Sequence, residues 1–174
     1  MHSDIIVHPF GEIDETVIGA VRQGIERQLR VQVTIGERKQ TPEHSYSPER
    51  GQYRSTHFLD ELSKARRDAR IRLGIATVDL FVPELNFVFG EASSAHQVAV
   101  FSIARLDPRL YGEPADQKKL THRAVAEAVH ELGHVLGLTH CQRPDCVMWF
   151  SNTMEETDRK GRAFCKKCAE RVDC

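Results

Sequence analysis

The sequence lacks any long apolar run: its longest stretches of consecutive hydrophobic residues are only a few residues long. A membrane-spanning helix needs about 20 such residues, so no transmembrane segment is predicted. The chain also lacks an excess of either charge, with a formal net charge of -1. This balance argues against a nucleic acid or an anionic membrane as a partner recognised through bulk charge. We interpret the short basic runs at Lys64–Arg67 and Lys166–Lys167 as solvated surface.

The N-terminal residues show no basic stretch followed by an apolar core and a small-residue cleavage site, which a secretory signal would have. We therefore expect an intracellular, cytoplasmic protein, and we expect it to act as a monomer. In a reducing compartment, the five cysteines are better explained as thiolate metal ligands than as disulfides. The length of 174 residues and the hydrophobic content of 40% fit one domain that can bury a core.

The first 35 residues predict a strand, a helix and a second strand. Ile5–Val7 is a short apolar stretch, and apolar residues then recur at helical spacing from Asp14 to Leu29. Between Val31 and Ile35 apolar and polar residues alternate, which is typical of a half-buried strand. This order favours a right-handed crossover between two parallel strands.

The middle of the chain predicts a loop, a helix and three strands. Residues 36–56 are polar and contain turn-forming proline and glycine, so they predict a long surface loop. Apolar residues return at helical spacing from Phe58 to Leu73. Beyond this helix, β-branched and aromatic residues predict a central strand and two further strands, at Ile75–Val82, Asn86–Gly90 and Val98–Leu106.

These elements predict a single α/β (α+β) domain over residues 1–174, with a mixed sheet and packed helices. Its N-terminal part, residues 1–140, ends in a helix over about 118–137. Residues 141–174 contain few large apolar residues but all five cysteines. A segment this poor in core residues needs a cross-link to hold one shape, and bound metal is the cross-link we expect.

The motif that predicts chemistry reads His-Glu-Leu-Gly-His-Val-Leu-Gly-Leu-Thr-His and runs from His130 to His140. On a helix, His130 and His134 lie one turn apart and can bind one ion from the same face. Gly137 can adopt the left-handed conformation that would let His140 return as a third ligand. Three nitrogen ligands leave one tetrahedral position open, which is typical of catalytic zinc. The alternative is three unrelated histidines on a surface helix.

Zinc bound by the three histidines would lower the pKa of its water from about 15.7 towards ~7. Glu131 lies beside the first ligand and would act as the general base, which predicts hydrolysis of peptide or protein substrates. The alternative, from another functional class, is a catalytically weak or inactive protein of the same fold that binds peptides or serves a structural purpose. Glu131 favours the enzyme, because a binding module does not need a base beside the ion.

The remaining chemistry-bearing residues are cysteines. Two close pairs separated by a short segment are typical of a closed structural zinc site, and they are Cys141, Cys146, Cys165 and Cys168. Together with the histidines they predict two zinc ions per chain. The alternatives are two disulfides, a redox Cys-x-x-Cys pair or an interaction module. Cys174 is the odd cysteine and is predicted to be a free thiol.

The combined motif resembles the archaemetzincins, a metzincin-like family of zinc-dependent peptidases. The matching residues are His130-Glu131-x-x-His134-x-x-Gly137-x-x-His140-Cys141, then Cys146-x-Met148, then Cys165-x-x-Cys168. The resemblance implies a zincin fold, a twisted mixed sheet packed with helices, whose edge strand binds an extended substrate. The candidates for that strand are Asn86–Gly90 and Val98–Leu106. It also implies that Met148 forms a tight turn beneath the histidines; otherwise Met148 is an ordinary core residue.

Overall fold

A computed structural model describes residues 4–64 and 68–172. It begins with strand β1 (Ile5–Phe10), helix α1 (Glu15–Leu29) and strand β2 (Val33–Ile35). The two strands are parallel, as predicted from their order. Asp14 caps α1, because its carboxylate accepts a hydrogen bond from the Thr16 backbone N–H at 2.7 Å.

Residues 36–56, predicted as a loop, contain more regular structure than expected. A 3-10 turn at Glu43–Ser45 precedes two short strands, β3 (Tyr46–Ser47) and β4 (Gln52–Arg54), which pair antiparallel. Strands of two or three residues show no measurable periodicity, so the sequence pattern could not reveal them.

The helix predicted over Phe58–Leu73 is wrong at both ends. Helix α2 covers Ser55–Lys64, and strand β5 covers Ile71–Ala76. Ala65, Arg66 and Arg67 lie outside the described residues, so the predicted helix and basic run cannot be followed there. Isoleucine and leucine at every second position from Ile71 fit a strand, but the same residues also continue the helical spacing.

The central strand is therefore β5, and the prediction of one strand over Ile75–Val82 is wrong. The chain leaves the main sheet after Ala76, and Leu80–Phe81 forms a separate strand, β6, in a small sheet of order β3-β4-β6. The main sheet is completed by β7 (Gly90–Ser93) and β8 (Val98–Ser102), in the order β2-β1-β5-β8-β7. Among the strands of this sheet in the described ranges, only β7 runs antiparallel to its neighbour.

The strand order corrects the two candidates for the edge strand. Val98–Leu106 is too long, and β8 within it is an inner strand paired on both sides. The strand predicted over Asn86–Gly90 is wrong, because only an isolated bridge pairs Val88 with Leu80 there. The edge strand on this side of the sheet is β7, which begins at Gly90 and includes residues that the sequence suggested were a connector.

Three helices follow the sheets: α3 (Gln117–Val135), α4 (Met154–Arg159) and α5 (Lys166–Val172). The main core lies between the sheet and the pair α1 and α3, while α2 packs in a smaller cluster that includes Phe10 and Phe58. Buried residues of the C-terminal segment, including Val147 and Met148, join the main core. Among the helices of the described ranges, none has the length and apolar character needed to cross a membrane.

Candidate metal centres and active-site cleft

The two helical histidines are held within the core by α3. Almost every residue from Arg123 to Val135 is buried, because this part of α3 packs against α1 on one side and the sheet on the other. His130 and His134 therefore have little freedom, and their Nε2 atoms lie 3.1 Å apart. Both rings project from one face of the helix, as predicted from their spacing.

The third histidine reaches this face because the helix ends in a sharp turn. Gly137 has a φ of +87°, the left-handed conformation predicted for it. The Leu138 backbone N–H donates a hydrogen bond to the Gly133 carbonyl at 2.9 Å, which closes the turn. Ligand atoms of His130, His134 and His140 then lie within 4.8 Å of one another, so this group could hold a metal ion.

Backbone carbonyls fix the orientation of the two helical rings. The Nδ1 of His130 donates to the Val147 carbonyl and that of His134 to the Leu138 carbonyl, each at 2.8 Å. A carbonyl oxygen can only accept, so each Nδ1 is the protonated nitrogen and each Nε2 carries a lone pair. Two lone pairs held 3.1 Å apart repel each other unless a cation lies between them. The histidine set fits a divalent metal for this reason.

Burial also keeps the histidines neutral, as metal ligands must be. It lowers the pKa of His130 well below its ordinary value and lowers the pKa of His134 and His140 as well. The Lys160 ammonium acts in the same direction on the pKa of all three.

Glu131 lies beside these ligands with only 6% of its surface exposed. Burial raises the pKa of its carboxyl well above the ordinary value; the Glu127 charge raises it further and the Lys160 charge opposes this shift. The carboxylate also lies against the start of β7, since a Cβ on Gly90 would be 2.6 Å from Glu131 Oε1. Only glycine leaves room there for the carboxylate.

A cleft connects the three histidines and Glu131 with the sheet edge. Its cavity has a volume of about 500 Å³. One wall is formed by residues 85–92, which lead into β7, and the other by α3 and the segment after Met148. Phe150 borders the cavity with its ring 4.8 Å from that of His140, and about half of its side chain is exposed.

The four predicted cysteine ligands come together in a second group. Their sulfur atoms lie within 4.8 Å of one another, and those of Cys141 and Cys165 are 3.9 Å apart. All four are free cysteines, so a pair of disulfides is not formed. Neighbouring thiolates on a tetrahedral zinc with bonds of about 2.3 Å would be separated by nearly the same distance. Cys174 lies outside the described residues.

The local backbone favours thiolate character in part of this group. The Cys168 backbone N–H lies beside the Cys165 sulfur and lowers the pKa of that thiol to about 7. The Cys165 backbone N–H in turn donates to the Cys146 sulfur at 3.3 Å. Burial raises the pKa of Cys146 and Cys168, so a cation is needed to hold all four sulfurs as thiolates.

Met148 lies beneath the histidine-bearing helix. It is fully buried within a turn in which the Trp149 backbone N–H donates to the Cys146 carbonyl at 2.9 Å. Its Sδ would be 2.4 Å from a Cβ placed on Gly133, so the helix and the turn approach as closely as a glycine allows. Met148 thus packs under the segment between His130 and His134.

The sequence did not identify several residues that shape the cleft. Glu127, Lys160, Gly90 and Phe150 all line the cavity. Glu127 falls four residues before Glu131, so its face of the helix could have been predicted from spacing alone. Nothing near Lys160 in the sequence indicates that its side chain contacts Glu127 on α3.

Known proteins match this chain over nearly its whole length. The sequence profile of Peptidase family M54 matches residues 10–174. A protein from Pyrococcus furiosus named archaemetzincin is 42% identical over 180 residues, which cover 99% of this chain and 94% of that protein. Another archaemetzincin, from Methanocaldococcus jannaschii, is 37% identical over 97% of this chain and 92% of its own length.

Solved structures agree with the sequence matches. The crystal structure of archaemetzincin from Methanopyrus kandleri has a TM-score of 0.87 at 35% identity, covering 99% of this chain and 94% of that one. The structure of a zinc-dependent peptidase from Methanocorpusculum labreanum has a TM-score of 0.89 at 28% identity, covering 97% and 99%. The predicted zincin-like fold and the predicted family are therefore confirmed. The chain belongs to the archaemetzincins, peptidase family M54, and is a zinc metallopeptidase.

Proposed function

We propose that His130, His134 and His140 hold the catalytic zinc and that Glu131 is the general base in peptide-bond hydrolysis. The observation that carries this proposal is the pair of Nε2 lone pairs 3.1 Å apart, each fixed by a carbonyl on the opposite nitrogen. Such an arrangement is unfavourable without a cation and favourable with one.

Zinc bound there supplies a Lewis acid that polarises a carbonyl and lowers the pKa of water. The chain itself supplies the proton transfers. Burial raises the pKa of Glu131, but zinc bound at the neighbouring histidines would lower it again. A nearby divalent cation favours the ionised carboxylate. The ionised group can take a proton from water and return it to the leaving amine.

The cleft wall suits an extended peptide. Strand β7 is one of the two edge strands of the main sheet, and it lines the cavity together with α3. A substrate could add to this edge by backbone hydrogen bonds and present one of its peptide bonds to the histidines.

We further propose that Cys141, Cys146, Cys165 and Cys168 hold a second, structural zinc ion. The four sulfurs form a closed set, with no fifth group needed to complete a tetrahedron. Two zinc ions per purified chain are the expected result of metal analysis. A single ion would contradict the two-site assignment.

The change Glu131→Gln tests the catalytic role without altering the shape of the side chain. We expect both metals to remain and cleavage of an unmodified peptide library, followed by mass spectrometry, to fall by about 10²-fold or more. The matched control is Glu155→Gln, an exposed glutamate on α4, which should cleave as the unaltered protein does. Cleavage that survives Glu131→Gln would remove Glu131 as the base.

The same experiment separates the enzyme from the second functional class. A protein with two zinc ions that binds peptides but cleaves none would support the peptide-binding or structural alternative. The carboxylate beside the histidines favours hydrolysis over that alternative.

A further inference from the structure

The cleft wall of residues 85–92 is held in place by side chains that lie outside the cavity. All eight residues of this wall line the cavity. The Val88 backbone N–H donates to the Leu80 carbonyl at 2.9 Å. The carbonyls of Leu85 and Asn86, by contrast, accept hydrogen bonds from side chains. The position of this end of the wall therefore depends on the residues that supply those donors.

Gln52, the first residue of β4, makes the central contact. Its Nε2 donates to the Asn86 carbonyl and to Asp79 Oδ2, each at 2.9 Å, and its Oε1 accepts from Arg50 Nε at 3.1 Å. Both partners of Nε2 are acceptors and the partner of Oε1 is a donor, so only one orientation of the amide satisfies them all. The side chain is buried, and three hydrogen bonds therefore fix it where water cannot replace them.

Arg50 binds the same stretch of the wall from the turn before β4. Its Nη2 donates to the Leu85 carbonyl and lies 3.3 Å from the Asn86 carbonyl. Its guanidinium lies 4.2 Å from the centre of the Phe81 ring, in the neighbouring strand β6. The small sheet thus supplies both donors that hold residues 85 and 86.

Asp79 connects these contacts with the aromatic part of the wall. Arg105 donates to its two carboxylate oxygens from Nε at 2.6 Å and from Nη2 at 2.7 Å. The Arg105 guanidinium lies 4.1 Å from the centre of the Phe87 ring, which meets the Phe89 ring edge to face at 5.2 Å. A bidentate pair fixes the plane of the guanidinium, so Asp79 determines the surface on which Phe87 rests.

The other end of the wall is attached to the same part of the chain. Thr56 Oγ1 lies 3.2 Å from each carboxylate oxygen of Glu91, a residue of β7 that lines the cavity. Thr56 belongs to the first turn of α2, and α2 begins directly after β4. The unit of β4 and α2 therefore holds the wall at both ends.

The alternative is that Gln52 only stabilises the small sheet. Strand β4 is paired through its backbone with β3 on one side and β6 on the other, and these pairings do not use the Gln52 side chain. Gln52 and Asp79 lie outside the cavity lining, whereas Asn86, which Gln52 contacts, belongs to it. The two side chains can thus affect a bound substrate only through the wall.

We propose that Gln52 is a positioning residue for peptide binding, which with Arg50 and Asp79 holds residues 85–87 where an extended peptide fits between them and the histidines. This inference rests on the proposed function of the cleft. A wall of fixed position contributes equally to binding of the substrate and of the transition state. Its displacement is therefore expected to raise KM and to leave kcat nearly unchanged.

The change Gln52→Glu tests this proposal with almost no change in shape. The new oxygen faces two acceptors, Asp79 and the Asn86 carbonyl, while the contact with Arg50 is retained. With a peptide that the zinc-loaded protein cleaves, we expect KM to rise by about ten-fold, the scale of one lost hydrogen bond, and kcat to stay within about two-fold. An unchanged KM would overturn the proposal.

A second variant removes the donor without adding a charge. Gln52→Met has a similar length, cannot donate to Asn86, and should also raise KM. It keeps the test decisive if the glutamate variant does not fold. A KM equal to that of the unaltered protein in this variant contradicts the proposal in the same way.

Two controls separate positioning from general loss of stability, which would lower the active fraction and hence kcat rather than KM. Gln23→Glu makes the same chemical change at an exposed position of α1. Asp158→Asn disturbs another bidentate pair, since Arg123 donates to both Asp158 carboxylate oxygens at 2.6 and 2.7 Å. KM should stay within about two-fold in both. A rise in either control as large as that in Gln52→Glu would remove the special role of Gln52.

Two measurements do not depend on turnover. Hydrogen exchange should be about ten-fold faster at the amides of residues 85–89 in Gln52→Glu and unchanged in α1. In the zinc-loaded Glu131→Gln protein, the added Gln52→Glu change should weaken binding of the same peptide by about ten-fold in calorimetry. If the unaltered protein cleaves no peptide, the proposed function fails, while exchange and the affinity for a library peptide still decide the role of Gln52. Unchanged exchange and affinity would contradict the inference even in an active enzyme.

Discussion

The histidine group and the cysteine group are built from different kinds of structure. His130 and His134 lie on a long helix that is buried between α1 and the sheet, so packing sets their positions. The cysteines instead lie on irregular chain after His140 and at the short helix α5. Packing positions the histidines, whereas in the proposed structural zinc site the cysteines would also cross-link the chain that carries them.

The two groups are nevertheless joined by the backbone. The Val147 carbonyl that orients His130 lies between Cys146 and Met148 in sequence, and the Cys141 backbone N–H donates to the Met148 carbonyl at 2.9 Å. His140 is bonded directly to Cys141. The cysteine segment therefore supports two of the three proposed zinc ligands.

The largest effect is expected from removing thiolates. Cys165→Ser combined with Cys168→Ser should abolish one zinc site and lower the free energy of unfolding by about 4 kcal/mol or more, the contribution of a ligand present at 1,000 times its dissociation constant. Denaturant unfolding and metal analysis measure both effects. Competition with a chelator should also show weaker zinc binding at the histidines. The reason is that the Val147 carbonyl, which orients His130, would no longer be held in place by the cysteine segment.

The control for this comparison removes a histidine instead. His134→Ala should also reduce the zinc content from two ions to one, but helix α3 is packed without the metal and the fold should survive. If both variants destabilised the protein equally, the distinction between a packed site and a metal-built segment would be wrong.

A smaller effect is expected where the two regions touch. Gly133→Ala would place a methyl group 2.4 Å from Met148 Sδ and 3.2 Å from Phe164. Forcing helix and turn apart should lower the free energy of unfolding by about 1–3 kcal/mol. Gly19→Ala in α1 has no atom within 4 Å of the new methyl, and it should instead stabilise by up to about 1 kcal/mol. Thermal unfolding of both variants checks the contrast in sign.

The smallest effect concerns helix α4, which belongs to the C-terminal segment but contains none of the proposed metal ligands. Thr153 caps α4 in a reciprocal arrangement, accepting from the Glu156 backbone N–H at 3.2 Å while Glu156 accepts from the Thr153 backbone N–H at 3.3 Å. Thr153→Ala should cost about 1 kcal/mol in denaturant unfolding. The zinc content should stay the same; loss of zinc would mean that α4 itself supports a metal site.

The two groups of candidate metal ligands could be predicted from sequence because the chemistry of metal binding restricts residue type and spacing together. His130 and His134 follow from helical geometry, and Gly137 from the need for a left-handed turn. The grouping of the cysteines followed from their pairs alone. What the sequence could not give is how the segment after Met148 returns to α3, because the contact between Lys160 and Glu127 joins residues far apart in the chain.

The sheet was less predictable for a related reason. Ile71 and Leu73 satisfy both a strand and the end of a helix, and the choice depends on pairing with β1 and β8 rather than on local preference. The edge position of β7 likewise depends on strand order. Its residues, Gly90–Ser93, include small and charged side chains that alone favour a connector.

The Val147 carbonyl also bears on the order of biosynthesis. Synthesis proceeds from the N-terminus, so both sheets and the helix carrying His130 are made before the residue that orients its ring, and Cys165 and Cys168 are made later still. The nascent chain can thus fold its scaffold while the hydrolytic centre is still incomplete.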